Sequence, residues 1–472
     1  MVIGLSALLG AYAKLFKSES PSTKGPDERP TMTAMIPALN EEETIPYALT
    51  SLAMQTVHPD RVIVVDDGST DDTPRIVREL DDELEMTIEL HQHAEPMGKT
   101  VGMKEVAHSV ETDTLFILDA DTFLESEEYL EELLAPHTES NVASSFGTVY
   151  PIETTSKQAL YDDYATALLP TGGITMSHME ADLDAATSRS GPVEYLKSNA
   201  PVVQFRNIDY HVQQRFFADS LMRLFDSTLF PVGCGVLYDR RKLVSVFDAY
   251  EETHGDDLTN SEDIFIGFAF SDRGWRNVRR KDTYMRSEVP KLRRTYKQNY
   301  LWGSGFLQSA YYFGRLSRRF RSQRVATDGG ATTETEEGRE IKGPPRRRSE
   351  TDRSEESVES RRSSDEAETA VKKPMGWPVM AQLIDGLYPT AALVFVLLSF
   401  FGFGAIELVA LFIVLEFTLF IVLALLTRTK RLDLARNIVP FVVIRFLLLP
   451  VLTYTYLRVG TDIVTGNRDW RK

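Results

Sequence analysis

From Thr31 to about Val149, short β-branched runs alternate with stretches of helical apolar spacing. The pattern predicts strands at Thr31–Ile36, Arg61–Val65, Met86–Leu90 and Thr114–Leu118, separated by helices at Glu42–Gln55, Thr73–Leu80 and Gly98–His108. That order predicts βαβ units, hence an α/β fold with a mostly parallel sheet and flanking helices. Ligands in such sheets bind at the carboxyl ends of the strands. Residues from about Pro151 to Pro201 mix Thr, Ser, Gly and acidic residues with a few aromatics and read as an insertion of mixed order. Helical spacing returns at Ile208–Phe225 and Asp263–Arg273, with a strand at Val232–Leu237 between them. Leu292–Leu316 is aromatic and Gly-rich with basic residues near both ends, the pattern of an amphipathic helix lying on a membrane.

Beyond Ser317 the pattern changes twice. Ser, Thr, Glu and Arg dominate to about Lys373, and a segment so poor in large apolar residues cannot offset its ordering entropy by burial. It reads as a disordered linker. Leu383–Phe403, Ala405–Leu426 and Asn437–Leu457 are then long apolar stretches, of the length a bilayer span requires. They carry Asp385, Glu407, Glu416 and Arg445, which are expected to face protein or water. The basic loop Arg428–Arg436 belongs on the cytoplasmic side, which makes the first two stretches a hairpin. A third full span would place the basic tail Arg458–Lys472 outside, whereas a re-entrant or interfacial third segment would not; both readings stay open. At the N-terminus, Val2–Ala13 is apolar but short for a span, and reads as an interfacial anchor. The expected organisation is an anchor and linker over 1–30, a catalytic domain over 31–316, a linker over 317–374 and a membrane domain over 375–472, with the catalytic domain on the cytoplasmic face of the cell membrane.

A formal charge of −17 argues against nucleic acid as partner. Together with 36 Arg against 16 Lys, it fits either a halophile's high-salt cytoplasm or an ordinary acidic protein. One cysteine, Cys234, excludes an intrachain disulfide and a Cys-based zinc site.

The candidate chemistry is acidic. Asp66-Asp67-Gly68-Ser69-Thr70-Asp71 directly follows one predicted strand, and Asp119-Ala120-Asp121 directly follows another. Carboxylates at two strand ends of one sheet form a charged crevice, and Asp-X-Asp spacing lets two of them share Mg²⁺ or Mn²⁺, oxygen-preferring ions that bridge carboxylates to a diphosphate. Ser261-Glu262-Asp263 opens a helix; it fits an N-terminal cap, or a general base that takes a proton from a hydroxyl.

In this order along the chain, the motifs resemble family 2 glycosyltransferases with the type A nucleotide-sugar fold. Ile36-Pro37-Ala38-Leu39-Asn40-Glu41-Glu42 looks like the family's first-strand signature, Asp66-Asp67-Gly68-Ser69 its nucleoside motif, Gly98-Lys99 a step near the donor, Asp119-Ala120-Asp121 its metal motif and Ser261-Glu262-Asp263 its base motif. The resemblance extends to membrane-bound hyaluronan, chitin and cellulose synthases. Val232-Gly233-Cys234-Gly235-Val236-Leu237-Tyr238 is similar to their acceptor-proximal segment, and Gln298-Asn299-Tyr300-Leu301-Trp302 to their Gln-X-X-Arg-Trp motif. Two departures stand out: Leu301 replaces the motif's Arg, with Arg293 or Arg294 nearby as substitutes, and Leu39 stands where many members carry an aromatic.

The resemblance implies a hexosyl- or N-acetylhexosaminyl-transferase that inverts the anomeric centre. Pro37, Asn40, Glu41, Asp66, Asp67, Lys99 and Asp119 would bind the nucleotide diphosphate sugar. Asp121 with Asp119 would hold Mg²⁺ or Mn²⁺, Asp263 or Glu262 would serve as base, and Gly233, Cys234, Gly235, Gln298 and Trp302 would face the acceptor. The acceptor is a membrane-proximal glycan or lipid-linked molecule, extended processively as in polysaccharide biosynthesis. The alternative is a single sugar added to a polyprenyl or dolichyl phosphate or a lipid-linked oligosaccharide. A non-catalytic membrane scaffold would not need all three acidic motifs.

Overall fold

The computed structural model describes residues 5–18, 29–84, 86–152, 200–254, 260–326, 369–402 and 431–467, with three isolated positions between 403 and 430. The insertion expected over Pro151–Pro201 and the apolar stretch Ala405–Leu426 fall almost wholly outside them, as does most of the linker.

An eight-stranded sheet organises the catalytic region. Its strands are β1 (Met32–Ala38), β2 (Arg61–Asp66), β3 (Ile88–Gln92), β4 (Thr114–Leu118), β5 (Thr122–Leu124), β6 (Val142–Pro151), β7 (Gly235–Asp239) and β8 (Arg276–Ser287), in the order β3-β2-β1-β4-β7-β6-β8-β5. The β3-β2-β1-β4 half is parallel, as the alternating pattern predicts. The other half is mixed: β7 runs antiparallel to β4 and β6, β8 parallel to β6, and β5 antiparallel to β8.

Period-two alternation sends side chains to both faces. Met35, Ile63 and Val65 enter one core cluster, while Ala34, Ile36, Val62 and Val64 enter the other. Helices α2 (Ile45–Ala53), α3 (Thr73–Glu83), α4 (Lys99–Ser109) and α5 (Tyr129–Leu134) flank the sheet. Strand β8 has buried polar residues where an apolar pattern is expected. Arg276 pairs with Glu139 and Asp226, Arg279 pairs with Asp219, and Asn277 accepts from Ser144 Oγ at 2.7 Å.

After residue 199, α6 (Ala200–Val212) passes through a π-helical stretch, Gln213–Ala218, into α7 (Asp219–Phe225). Then follow α8 (Arg240–His254), α9 (Glu262–Arg273) and α10 (Leu292–Tyr312). One face of α10 is buried through Thr295, Ser304, Gly305, Phe306 and Gln308. Two long helices complete the described C-terminal part, α11 (Gly376–Phe400) and α12 (Arg431–Thr465).

Within them Gly376–Ser399 and Pro440–Thr465 are long and apolar enough to cross a membrane, by length and composition. Helix α12 packs on the catalytic region: Phe441 stacks on Phe205 of α6 at 5.5 Å, and Tyr454 lies 5.9 Å from Tyr300 of α10. The N-terminal helix α1, Leu5–Phe16, turns small residues inward (Ala7, Gly10, Ala13) and large ones outward (Leu8, Leu15, Phe16). A Cβ on Gly10 would lie 2.4 Å from the Phe216 ring. Asp385 of α11 faces protein, as expected of an acid in an apolar stretch: its carboxylate accepts from the Leu5 and Ser6 N–H groups at 2.8 and 2.9 Å. Finally, β9 (Gln323–Ala326) and β10 (Thr369–Lys372) pair antiparallel, closing both ends of the low-complexity segment into one ribbon.

Candidate active site

Strand β1 leads to β2 on one side, and β4 lies on its other side. This is the topological switch point at which open α/β sheets leave a crevice. The β1–β4 ladder ends at Met35↔Ile117. Two residues on, Pro37 has no N–H to continue it, while the β1–β2 ladder runs on to Ala38↔Asp66.

Two loops on the β1/β2 side are tied together. Asn40, at φ +57°, receives Thr70 N–H on its side-chain oxygen at 2.9 Å, and its own N–H donates to Ser69 Oγ at 2.8 Å. Glu41 N–H donates to Thr73 Oγ1, and Glu42 N–H to Asp71. Asp66 is buried and accepts from Ser69 N–H and Gln92 Nε2, each at 3.0 Å. Asp67 accepts from Met97 N–H at 2.7 Å, Gly98 N–H at 2.8 Å and the His93 ring at 2.9 Å. Burial acts against its charge, but these donors together hold its carboxyl below the usual range. The Asp67 oxygens thus clamp the 93–98 loop, whose Gly98 takes φ +92°. Leu39 is exposed.

Lys99, the first residue of α4, ties the crevice together. Its ammonium donates to Asp119 Oδ1 at 2.6 Å and Gly233 O at 3.1 Å, and lies 3.0 Å from Glu262 Oε1. Burial alone would lower the ammonium's pKa, but the two carboxylates outweigh it and push it well above the ordinary value. Asp119 N–H donates to Cys234 O at 3.0 Å, which joins β4 to the loop before β7. Asp263 Oδ2 accepts from Gly233 N–H at 3.1 Å, and its Oδ1 accepts from Ser261 Oγ at 2.6 Å and Ile264 N–H at 2.8 Å. A Cβ on Gly233 would lie 2.8 Å from Asp263 Oδ2, so only glycine lets the carboxylate sit so close. Burial, then the adjacent Glu262, pushes the Asp263 carboxyl up to about 6. Asp119, Gly233 and Glu262 therefore surround one ammonium, with Cys234 and Asp263 one hydrogen bond further out.

Asp121 sits beside this group. Burial, then the charges of Asp119, Glu41 and Glu288, pushes its carboxyl up to about 8. Glu288 follows β8 and its N–H donates to Asp121 O at 3.1 Å. No motif pointed to Glu288; only the strand preceding it, itself hidden in the pattern, could have done so. The donor set is all oxygen and its mutual repulsion is what a divalent cation neutralises, which fits Mg²⁺ or Mn²⁺. Among the described residues no three metal-ligating side chains converge. An ion held by Asp121 and Asp119 would therefore complete its shell with diphosphate oxygens and water.

Gly235 is pressed against Met285, whose sulfur would lie 2.4 Å from an added Cβ. The Cys234 thiol lies 3.9 Å from that sulfur, and burial, then Asp119 and Asp121, pushes it well above the ordinary thiol range. Gln298 and Trp302 stand together on α10, and half-buried Leu301 lies between them. Arg293 and Arg294 are exposed. The guanidinium that reaches the motif belongs to Arg206 of α6: it donates to Gln298 Oε1 at 2.9 Å and lies 4.7 Å from the Trp302 ring centroid. A motif lacking its own arginine is the one signal in the sequence that another element supplies it.

Residues 33–173 match the model of the family described as Glycosyl transferase family 2. That match covers less than half of the chain, and the mixed sheet has the type A nucleotide-sugar fold. Across 98% of its length it is similar to the mannosyltransferase PcManGT from Pyrobaculum calidifontis, solved with GDP-Man and Mn²⁺ (95% of that chain, TM-score 0.52, 15% identity). Glucosyl-3-phosphoglycerate synthase from Mycobacterium tuberculosis, solved with Mg²⁺ and UDP, overlaps 68% of this chain and 88% of its own at TM-score 0.34 and 14% identity. TarS from S. aureus, solved with UDP, overlaps 61% and 72% at TM-score 0.34 and 17% identity. Neither of the last two bears on the fold assignment. No curated protein matches the sequence.

Proposed function

We propose that this chain is an inverting glycosyltransferase that moves a sugar from a nucleotide diphosphate donor to an acceptor held at a membrane. The observation that carries the reading is the Lys99 ammonium joining Asp119 of the strand-end motif to Glu262 of the helix-start motif, with Asp121 and Asp263 alongside, at the sheet's switch point. Asp67 acts on the donor pocket by shaping the 93–98 loop, and Asn40, Glu41 and Asp66 hold the neighbouring walls. Asp121 and Asp119 would hold Mg²⁺ or Mn²⁺, which when bound would supply positive charge to offset that building on the leaving diphosphate. Asp263 takes the proton from the acceptor hydroxyl as that oxygen attacks the anomeric carbon from the face opposite the leaving group. Its raised pKa suits it to holding that proton transiently. The two long apolar helices, of which α12 packs against α6 and α10, and the outward-facing apolar side chains of α1 support a membrane setting for the acceptor.

One observation favours addition of a single sugar, to a polyprenyl or dolichyl phosphate or a lipid-linked glycan, over processive extension. One face of Trp302 is covered by the Arg206 guanidinium and is closed to a sugar ring. The test incubates membranes containing the full chain with a panel of labelled nucleotide sugars and Mn²⁺. Transfer of one sugar into a lipid-extractable product is expected. Polymer would overturn the single-transfer reading, and no transfer from any donor by folded protein would overturn the glycosyltransferase reading.

A further inference from the structure

Arg206 is 1% exposed. Its Nη1 donates to Asp209 Oδ2 at 2.7 Å, its Nη2 to Gln298, and its guanidinium packs over Phe205 and Tyr210 at 5.1 and 5.5 Å as well as over Trp302. Among the described residues the Nε has no hydrogen-bond partner, although it is buried. Burying a cation with one donor unsatisfied is an inefficient way to stabilise a fold, since an apolar side chain of similar volume often does as well or better. What a guanidinium supplies here is geometry: a planar fork spanning two helices and a flat face on an indole.

The helix it grips packs against the segment that leads into the candidate base on α9. Beyond Gln298 and Trp302, α10 presents Ser304, whose Oγ accepts from Asn260 Nδ2 at 2.8 Å, and Gln308, whose Oε1 accepts from Asn260 N–H at 3.0 Å. Gly305 between them lies so close to Ser261 that an added Cβ would meet the Ser261 Cβ at 2.7 Å. Ser261 Oγ in turn donates to Asp263. A rigid connection therefore runs from Arg206 through α10 to Asn260 and Ser261, and so to the carboxylates at the start of α9. Tyr210, one turn along α6, packs against the same core cluster as Val232 and Cys234.

We propose that Arg206 is a positioning residue for the transfer step: it locks α6 to α10 and thereby sets the place of Glu262 and Asp263. This rests on the glycosyltransferase reading. The experiment compares the full-length chain with Arg206→Lys, Gln298→Leu and the double variant, measuring kcat, KM for donor and acceptor, and Tm. Lysine keeps a cation beside Asp209 but cannot make the fork or the flat stack. A base displaced by a fraction of an ångström to 1 Å should lower kcat about 10–10²-fold in each single variant. KM values should stay within about threefold, and the double variant should be no worse than the poorer single, as expected for two residues acting through one contact.

Single variants with kcat within about twofold of wild type would overturn the proposal. A rise in KM at unchanged kcat would also overturn it, making Arg206 a direct binding group, and so would losses that multiply in the double variant. Should Arg206→Lys fail to fold, Gln298→Leu breaks the same lock from the α10 side, and wild-type kcat in that variant overturns the proposal. A wild-type chain that transfers no sugar would instead defeat the glycosyltransferase reading, while non-additive Tm changes would still report the lock between α6 and α10.

Discussion

Replacing Asp263 by Asn separates a base from a helix cap, and the hydrogen bonds around it set the magnitudes. Asp263 accepts three bonds, from Gly233 N–H, Ser261 Oγ and Ile264 N–H. Asn can keep the two that reach Oδ1, but it turns an NH₂ group toward the Gly233 N–H. Losing one bond to a charged acceptor costs about 1.5–3 kcal/mol, and losing first-turn charge costs about 0.3–1 kcal/mol. Removing a carboxylate that burial and Glu262 already disfavour works in the other direction, so a modest fall in Tm is expected. A cap alone would leave the rate of the folded protein nearly unchanged, whereas a lost base slows it by about 10²–10⁴-fold. The assay is sugar transfer at saturating donor and Mn²⁺, with donor affinity and Tm measured on the same preparation.

The pH dependence gives a second readout of the same residue. Because the Asp263 pKa is raised to about 6, the base form accumulates above that value, and wild-type transfer should rise through about pH 6 and level off. Linkage runs the other way. The folded state holds this proton more tightly than the unfolded state, so the Asp263 contribution to stability is present at low pH and is lost as pH climbs from 3.8 to about 6. An Asn variant within about tenfold of the wild-type rate would refute the base assignment, and so would a wild-type profile with no inflection near pH 6.

Gly233→Ala pushes a methyl group into Asp263; overpacking of about 1–3 kcal/mol and a fall in kcat approaching 10²-fold are expected, read by Tm and steady-state kinetics. Lys99→Met removes a positive charge that lowers the Asp263 pKa, so the inflection in the pH–rate profile should move above 6; an unmoved inflection would disconnect the two residues. Asp121→Asn should abolish transfer and any rise in Tm caused by Mn²⁺, as excess chelator should in the wild type, and full activity in chelator would refute the metal role.

Strands β1, β2 and β4 of the parallel half were legible because they carry nearly continuous apolar runs buried on both faces; β4 occupies the predicted Thr114–Leu118, whereas the half-exposed edge strand β3 lies at Ile88–Gln92 instead of Met86–Leu90. Strand β8 was not, because Arg276, Asn277 and Arg279 are buried there by pairing with groups far away in sequence. Periodicity records hydrophobicity, and a partnered buried arginine looks like a surface residue. The site divides in the same way. Asp119, Asp121, Glu262 and Asp263 come from local motifs, and the structure brings them together. Glu288 and Arg206 reach the site only through the sheet order and the helix packing, which no short motif records. The third apolar stretch, read as Asn437–Leu457, lies within one longer helix, α12, which runs from Arg431 to Thr465 with Pro440 and Pro450 inside it.

The ribbon of β9 and β10 sets Ala326 beside Thr369, so the chain leaves the described fold and returns to it at one place. Doubling the length of such an excursion adds only about 0.6 kcal/mol of closure entropy. The polypeptide thus has a natural port: a reporter domain inserted there, or new chain ends opened there, would leave both strands of the ribbon in register. Two separately produced pieces divided at this point would retain the α6–α12 and α10–α12 interfaces needed to find each other, making the enzyme divisible into halves whose reunion can be read as restored sugar transfer.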